Sequence, residues 1–277
     1  MSVNVIKADG SVEQFKVSKL RQSLKRAGAT TSEVTAVVNE VRKILHEDIT
    51  TQEIYRHAFA FLHNSPQPTK ARYSMRRALF GLGPTGFPFE DFIARLFTHS
   101  GYTTKTGIEI QGSCALHEID LAAFKDEDSI VGEVKFHSRP GIKSDLQVVM
   151  YSYARFLDLK KKHICIEDRC GIKDFYVITN TKFTSTAEQY AECVGLNLIS
   201  WDYPKGNTLH DRIQKAGIYP ITTLQSLSQS QKVTLLESGV IICADIINSP
   251  ARLKILHLSK SRTDEVLDEA KKLTQQS

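Results

Sequence analysis

The 277-residue chain holds few cysteines, five in all, and no long apolar run, and each scarcity removes a class of protein. Five cysteines are an odd number at irregular gaps, which makes no disulfide framework; they read as reduced thiols in a reducing compartment. No stretch approaches the roughly 18 uninterrupted apolar residues of a membrane span. The polar opening MSVNVIKADG lacks the basic and apolar regions of a secretory signal. The expected setting is the cytoplasm, with no membrane partner. Internal repeats and low-complexity tracts are missing, and so are the Gly-x-x-x-x-Gly-Lys-Ser/Thr loop and the dinucleotide fingerprint after a strand. What remains is an ordinary globular composition, 41% hydrophobic and 24% charged, long enough for two or three domains.

The net charge of +5 is unevenly spread. Residues 1–84 carry 13 basic and 7 acidic side chains, residues 85–220 carry 16 and 18, and residues 221–277 carry 7 and 6. The front segment is therefore where a concentrated negative charge would be held. It opens with strand-like runs at Val3 to Lys7 and Val12 to Phe15 around Asp9-Gly10, a two-residue hairpin signal. Ser18 is placed to cap a helix through Arg26, and Thr30 with Glu33 and Thr50 with Glu53 have capping-box spacing before apolar periodicity. A last helix runs from near Pro68 through Leu79. The cluster Gly81, Gly83, Pro84 and Gly86 marks a boundary.

The rest divides again near Pro220. Residues 85–220 alternate helix and strand patterns: helices at Phe89 to His99, Leu146 to Leu159 and Ser185 to Cys193, and strands at Thr103 to Gln111, Glu118 to Phe124, Ile130 to Phe136, Asp174 to Thr179 and Leu196 to Trp201. That predicts an α/β domain around a mixed sheet. Residues 221–277 predict short helices, at Leu224 to Leu227, Gln229 to Glu237, Ala244 to Ile247, Ala251 to Leu256 and Thr263 to Leu273. The expected whole is a multidomain α+β protein with domains 1–84, 85–220 and 221–277.

In the front segment Lys7, Lys19, Arg72, Arg76 and Arg77, with Thr51 at a helix start where backbone N–H groups favour anions, suit a triphosphate. A plain helical packing module would show the same residues. The run Val5-Ile6-Lys7-Ala8-Asp9-Gly10-Ser11-Val12-Glu13-Gln14-Phe15, then Ser18-Lys19-Leu20, Thr51-x-x-Ile54-Tyr55 and Ala71-Arg72-Tyr73-Ser74-x-Arg76-Arg77-Ala78-Leu79, resembles an ATP-cone domain. Such domains are ATP- or dATP-binding regulatory modules found at the front of ribonucleotide reductases and of their transcriptional repressor. The resemblance implies phosphate contacts from Lys7 and Lys19, Glu13 in the pocket, and Thr51, Ile54 and Tyr55 against base and sugar. The resemblance leaves open which of Arg72, Arg76 and Arg77 on the last helix faces inward, with Arg72 and Arg76 the expected contacts.

In the middle segment the runs Glu118 to Phe124 and Ile130 to Phe136 predict a hairpin across the polar stretch Lys125 to Ser129. Side chains two apart share a strand face, so Glu133 and Lys135 stand together and pairing brings Asp120 near them. Two carboxylates suit a hard divalent cation, and a lysine beside them suits a phosphoryl centre. A solvated Glu-x-Lys face is the bland alternative, opposed by the apolar neighbours Ile130, Val131 and Val134, among which an unpartnered charge is costly. The segment resembles a PD-(D/E)XK nuclease domain of the Mrr-like restriction endonuclease group. The resemblance runs through Phe87-Pro88-Phe89-Glu90, His117-Glu118-Ile119-Asp120, Gly132-Glu133-Val134-Lys135-Phe136-His137, Val177-Ile178-Thr179-Asn180 and Leu198-Ile199-Ser200-Trp201.

That resemblance implies Asp120 and Glu133 as ligands of Mg²⁺ or Mn²⁺, Lys135 as the catalytic lysine, Glu90 as a supporting acid and Gln147 approaching from the next helix. Two departures are visible: Glu133 stands where many Mrr-like members have Gln, and His117-Glu118-Ile119-Asp120 where they have Gly-Gly-x-Asp. The basic loop His137 to Asp145 fits a phosphate backbone or a plain surface loop equally. The tail resembles a helix-hairpin-helix or related small helical domain, with packing or dimerisation an equal alternative. His163, Cys165, Cys170 and Cys193 match no familiar zinc spacing. Together these imply a nucleotide-regulated, Mg²⁺-dependent endonuclease acting on double-stranded DNA as a dimer or tetramer, in restriction or anti-phage defence. The alternatives are an ATP- or dATP-responsive DNA-binding regulator with an inert nuclease fold, and a nuclease for RNA or single strands.

Overall fold

Asp9-Gly10 does reverse the chain, but through a wider loop than a two-residue hairpin. Lys7 N–H donates to Ser11 O at 2.9 Å, Gly10 N–H to Lys7 O at 3.0 Å, and the Asp9 carboxylate takes Ser11 N–H at 3.1 Å and its hydroxyl at 2.6 Å. The Asx-type bond to Ser11 and a φ of 79° at Gly10 set this turn. The computed structural model describes residues 3–62, 67–125, 128–160, 165–166 and 169–275. His163 lies outside them.

The turn joins β1 (Asn4–Ile6) to β2 (Val12–Gln14), antiparallel with Val5 opposite Glu13. Helix α1 (Val17–Arg26) starts earlier than expected: Lys16, not Ser18, is its N-cap, and it supplies no side-chain cap. Both expected capping boxes form. Thr30 and Glu33 close the start of α2 (Thr31–Ile44), and Thr50 and Glu53 that of α3 (Thr51–Phe61). Between them β3 (Ile49–Thr50), too short to show a period, pairs in parallel with β1, giving a sheet of order β2-β1-β3. The single last helix of the sequence reading is two, α4 (Gln67–Tyr73) and α5 (Met75–Phe80), parted at Ser74, whose hydroxyl donates to Ala71 O at 2.8 Å.

Residues Leu79–Pro220 form one of two compact units. Helix α6 (Phe87–His99) leads into β4 (Thr103–Gln111), β5 (Leu116–Lys125) and β6 (Asp128–Lys135). Then follow β7 (Lys143–Ser144), α7 (Leu146–Lys160), the small hairpin β8 (Cys165–Ile166) and β9 (Arg169–Cys170), β10 (Asp174–Thr179), β11 (Lys182–Phe183), α8 (Ser185–Val194) and β12 (Asn197–Ile199). Helix α9 (Leu209–Ala216), closed by a Thr208–Asp211 capping box, was not predicted.

The main sheet has the order β12-β10-β6-β5-β4, parallel among β6, β10 and β12 and antiparallel from β4 to β6. Parallel neighbours need crossovers, and α7 and α8 carry them. One apolar cluster, including Ala122, Phe124, Val131, Val149, Phe156 and Val177, joins the sheet to α7 and α8. The alternating positions Leu121 and Ala123 are also buried, and α6, with Phe89, Phe92 and Ile93 fully buried, packs on β4 and β5. Covered on both faces, β6 buries Ile130, Val131 and Val134, and Glu133 and Lys135 stand among them.

In the tail, α10 (Gln229–Glu237), α11 (Cys243–Asn248), a 3₁₀ stretch at Pro250–Leu256 and α12 (Lys260–Thr274) match expectation closely. The helix expected at Leu224 to Leu227 is absent. A 3₁₀ turn at Ile221–Thr223 precedes it, and the buried Glu269 carboxylate takes the N–H groups of Gln225 at 2.7 Å and Ser226 at 2.8 Å. The second unit is Met1–Ala78 with Ile221–Gln276, so the tail packs with the front of the chain; α12 lies on α4, and Thr222 Oγ1 donates to Ala78 O at 2.7 Å. The architecture is mixed α/β with several sheets and helical end regions. No helix among the described residues is long and apolar enough to cross a membrane.

Candidate functional site

The β5–β6 ladder runs from Lys125 opposite Asp128 to Leu121 opposite Gly132, and then ends. The next residue of β5 is Asp120. Its Oδ2 accepts the N–H of Val134 at 2.7 Å, so a carboxylate takes up a backbone donor beyond the end of the ladder. On the other side, the β4–β5 pairing passes from Thr106–Leu121 to Ile108–Ile119, leaving Asp120 beside Gly107, which has φ 59°. Strand β6 continues along β10, with Glu133 opposite Val177 and Lys135 opposite Thr179. Asp120, Glu133 and Lys135 thus meet where β6 has lost one neighbour and kept the other.

Burial and charge act together on this rim. Burial pushes the Asp120 carboxyl up, against the Val134 N–H bond and the Arg155 and Lys135 charges that pull it down. Glu133 is pushed up by burial and by Asp120, opposed by Arg155 and Lys135. Glu90, on α6, is pushed up to about 7, first by burial and then by the negative charges of Asp120, Glu118, Asp91 and Glu133. Its carboxylate folds back over Gly86, where a Cβ would lie 2.9 Å from Oε1. Gln147 is exposed in the first turn of α7, and its backbone N–H bonds Asp145 Oδ1 at 3.1 Å. Arg155, also on α7 and absent from the sequence reading, donates from its Nη1 to Glu133 Oε2. The His137 ring is lowered by burial and by Lys135. Asn180, wholly buried, holds the loop beyond β6 by accepting His137 N–H at 2.9 Å and donating to His137 O at 2.8 Å.

Among the described residues no group of three or more His, Cys, Asp or Glu side chains is placed to hold a metal ion. The test of fit rests on the carboxylates themselves. Asp120, Glu133 and Glu90 act on one another here with only Arg155 and Lys135 as neighbouring cations among the described residues, and three carboxyl groups against two cations are oxygen donors that fit a hard divalent cation. Glu90 gives this a measurable form. Its folded pKa lies above the value of an unfolded glutamate, so the folded chain binds the extra proton, and stability falls as pH rises from about 4.5 through about 7. In EDTA, Glu90→Gln is expected to raise the urea midpoint at pH 8 and leave it nearly unchanged at pH 4.5. The difference, discounted for partial exposure, is about 1 kcal/mol.

A second constellation lies in the other unit. Lys7 and Lys19 both grip Glu13, at 2.8 and 2.7 Å, and hold its carboxyl below the usual range. Because Ile6 pairs with Thr50, the chain leaves β1 at Lys7 beside Thr51, the first residue of α3. Ile54 is buried, and Tyr55 stacks on Tyr73 with centroids 5.3 Å apart and on Phe59 at 5.8 Å. The Tyr55 hydroxyl is pushed up to about 12 by burial, against the pull of Arg77. On α5, Arg77 lies over the Tyr55 ring at 5.8 Å, and Arg72 of α4 reaches toward Gly28. Tyr73 and Phe59 were missed in the sequence reading, although Tyr73 sat inside a motif quoted there.

Residues 3–78 match the ATP cone domain family, and residues 219–274 match the family described as AF1548-like, C-terminal. A protein of Archaeoglobus fulgidus named "Uncharacterized protein" is 36% identical over 182 residues, which are 65% of this chain and 99% of that one. The crystal structure of the protein of unknown function AF1548 matches at 34% identity and a TM-score of 0.56, over 70% of this chain and 100% of that one. A likeness to the MspJI restriction endonuclease in complex with a 27-mer oligonucleotide covers 72% of this chain and 41% of that one, at 13% identity and a TM-score of 0.35, too distant to bear on function. With more than a third of the positions identical along nearly the whole of its archaeal relative and the AF1548-like match on its tail, the chain belongs to the AF1548-like family, with an ATP cone at its front.

Proposed function

We propose that this protein is a nucleotide-regulated, metal-dependent endonuclease that hydrolyses DNA phosphodiester bonds. The observation that carries the reading is the meeting of Asp120, Glu133 and Lys135 at the point where the β5–β6 ladder ends. Asp120 and Glu133 would hold Mg²⁺ or Mn²⁺, which when bound supplies Lewis-acid polarisation and a more acidic water. Lys135, exposed at the end of β6, offers its ammonium to a phosphoryl oxygen on which charge builds during in-line attack. Glu90, half-protonated near neutral pH, can hold a proton beside them. The exposed loop with Arg139, fixed at its base by Asn180, lies next along the chain for the substrate backbone.

The ATP cone supplies the regulation. ATP or dATP would bind at Lys7, Lys19, Thr51 and Tyr55 and act through differential affinity for two states of a homo-oligomer. A cytoplasmic role in restriction or anti-phage defence accords with this chemistry. One observation favours a second reading, a nucleotide-responsive DNA-binding regulator with an inert site: Glu133 is already paired with Arg155.

Plasmid, single-stranded DNA and RNA incubated in parallel with Mg²⁺ or Mn²⁺, with and without ATP and dATP, test the proposal. Nicking of plasmid that Asp120→Asn loses is the expected result. Metal-independent binding without cleavage points to the regulator, and cleavage of RNA or single strands alone changes the substrate.

A further inference from the structure

Arg155 is a buried arginine, 8% exposed, on a helix face that otherwise packs against the sheet. Its Nη1 donates to Glu133 Oε2, its charge also acts on Asp120, and its Nε, buried, has no hydrogen-bond partner among the described residues. One turn earlier on α7 is Tyr151, 63% exposed, with the Arg155 guanidinium 5.4 Å from its ring centroid. The guanidinium thus sits between two carboxylates on one side and an aromatic ring open to solvent on the other, and it is incompletely bonded where it lies.

A guanidinium cannot shed its proton to make room for a cation; it has to move. Its single charge against Glu133 occupies an oxygen that a divalent ion would need, and two cations brought to one carboxylate repel strongly where water is scarce. Resting on the reading that Asp120 and Glu133 take a divalent cation, we propose that Arg155 is the site's built-in counter-ion, holding Glu133 in the metal-free protein and exchanging it for the incoming ion. The exchange keeps Glu133 from standing buried and unpaired before the metal arrives. The Tyr151 ring offers the displaced guanidinium a cation–π resting place at the site's edge.

The test uses the full chain and needs no turnover. Mn²⁺ binding is measured by calorimetry and by loss of the free-ion EPR signal for the native protein, Arg155→Met and Arg155→Lys. Arg155→Met is expected to bind Mn²⁺ about tenfold more tightly, and Arg155→Lys to stay near the native value. Because Arg155→Met leaves Glu133 unpartnered and can unfold the unit, a second measurement uses the native protein labelled with ¹⁵N-arginine. The Nε–H resonance that Arg155→Lys lacks is expected to shift on Mg²⁺ titration. Mn²⁺ affinity that is unchanged or weaker in folded Arg155→Met, or an Arg155 resonance unmoved at saturating Mg²⁺, overturns the exchange while leaving the metal site standing. Failure of all three proteins to bind Mn²⁺ removes the metal site and the exchange together.

Discussion

Lys135→Met is expected to slow Mg²⁺-dependent plasmid nicking about 10²–10³-fold while leaving Mn²⁺ affinity within about twofold, the loss of one charged donor to a developing oxyanion. The two quantities separate because Lys135 is exposed at the end of β6, whereas the carboxylates are partly buried behind it. Lys135 lowers both carboxyls, so its removal makes them slightly more basic. That effect tends to tighten ion binding and cannot mimic a lost ligand. Single-turnover nicking and calorimetry on the same preparation decide it. An equal fall in ion affinity would place Lys135 in the holding of the ion and take away its role at the phosphate.

Lys7→Ala combined with Lys19→Ala is expected to weaken ATP binding at least about 100-fold, since each charge-assisted bond to a phosphate is worth about 1.5–3 kcal/mol. Both ammonium groups are gathered on Glu13, a single carboxylate that marks where anionic oxygens are welcome. Glu13→Gln keeps the lysines and removes the charge that competes for them, so it is not expected to share the loss. Equilibrium dialysis with ATP and dATP measures both. Unaltered affinity in the double variant would move the phosphates away from the hairpin and toward the arginines of α4 and α5.

Much of this was legible because local chemistry and tertiary structure agree. Capping boxes at Thr30 and Thr50 fixed helix starts to the residue, and the apolar runs of β5 and β6 gave the hairpin that brings Asp120 to Glu133. The losses have physical reasons. Ser18 looked like a cap, but the helix begins two residues earlier, after Lys16. Strand β3 is held by its pairing with β1 and has no periodicity of its own. Arg155 did leave a signal: Val149, Ser152, Phe156 and Leu159 recur at helical spacing on the buried face, and an arginine in that stripe calls for an anion. Naming Glu133 as that anion required the crossover of α7 over the sheet, a relation that single-segment patterns do not contain.

The bond from Val134 N–H to Asp120 makes that aspartate a structural tie as well as a chemical group. Truncating it to alanine would strand a donor on a residue only 5% exposed and loosen the tip of β6 by about 1–3 kcal/mol, so a dead enzyme would report damage and chemistry together. Asparagine keeps an oxygen acceptor for the same N–H and deletes only the charge. At this position, amide against acid is the comparison that isolates catalysis.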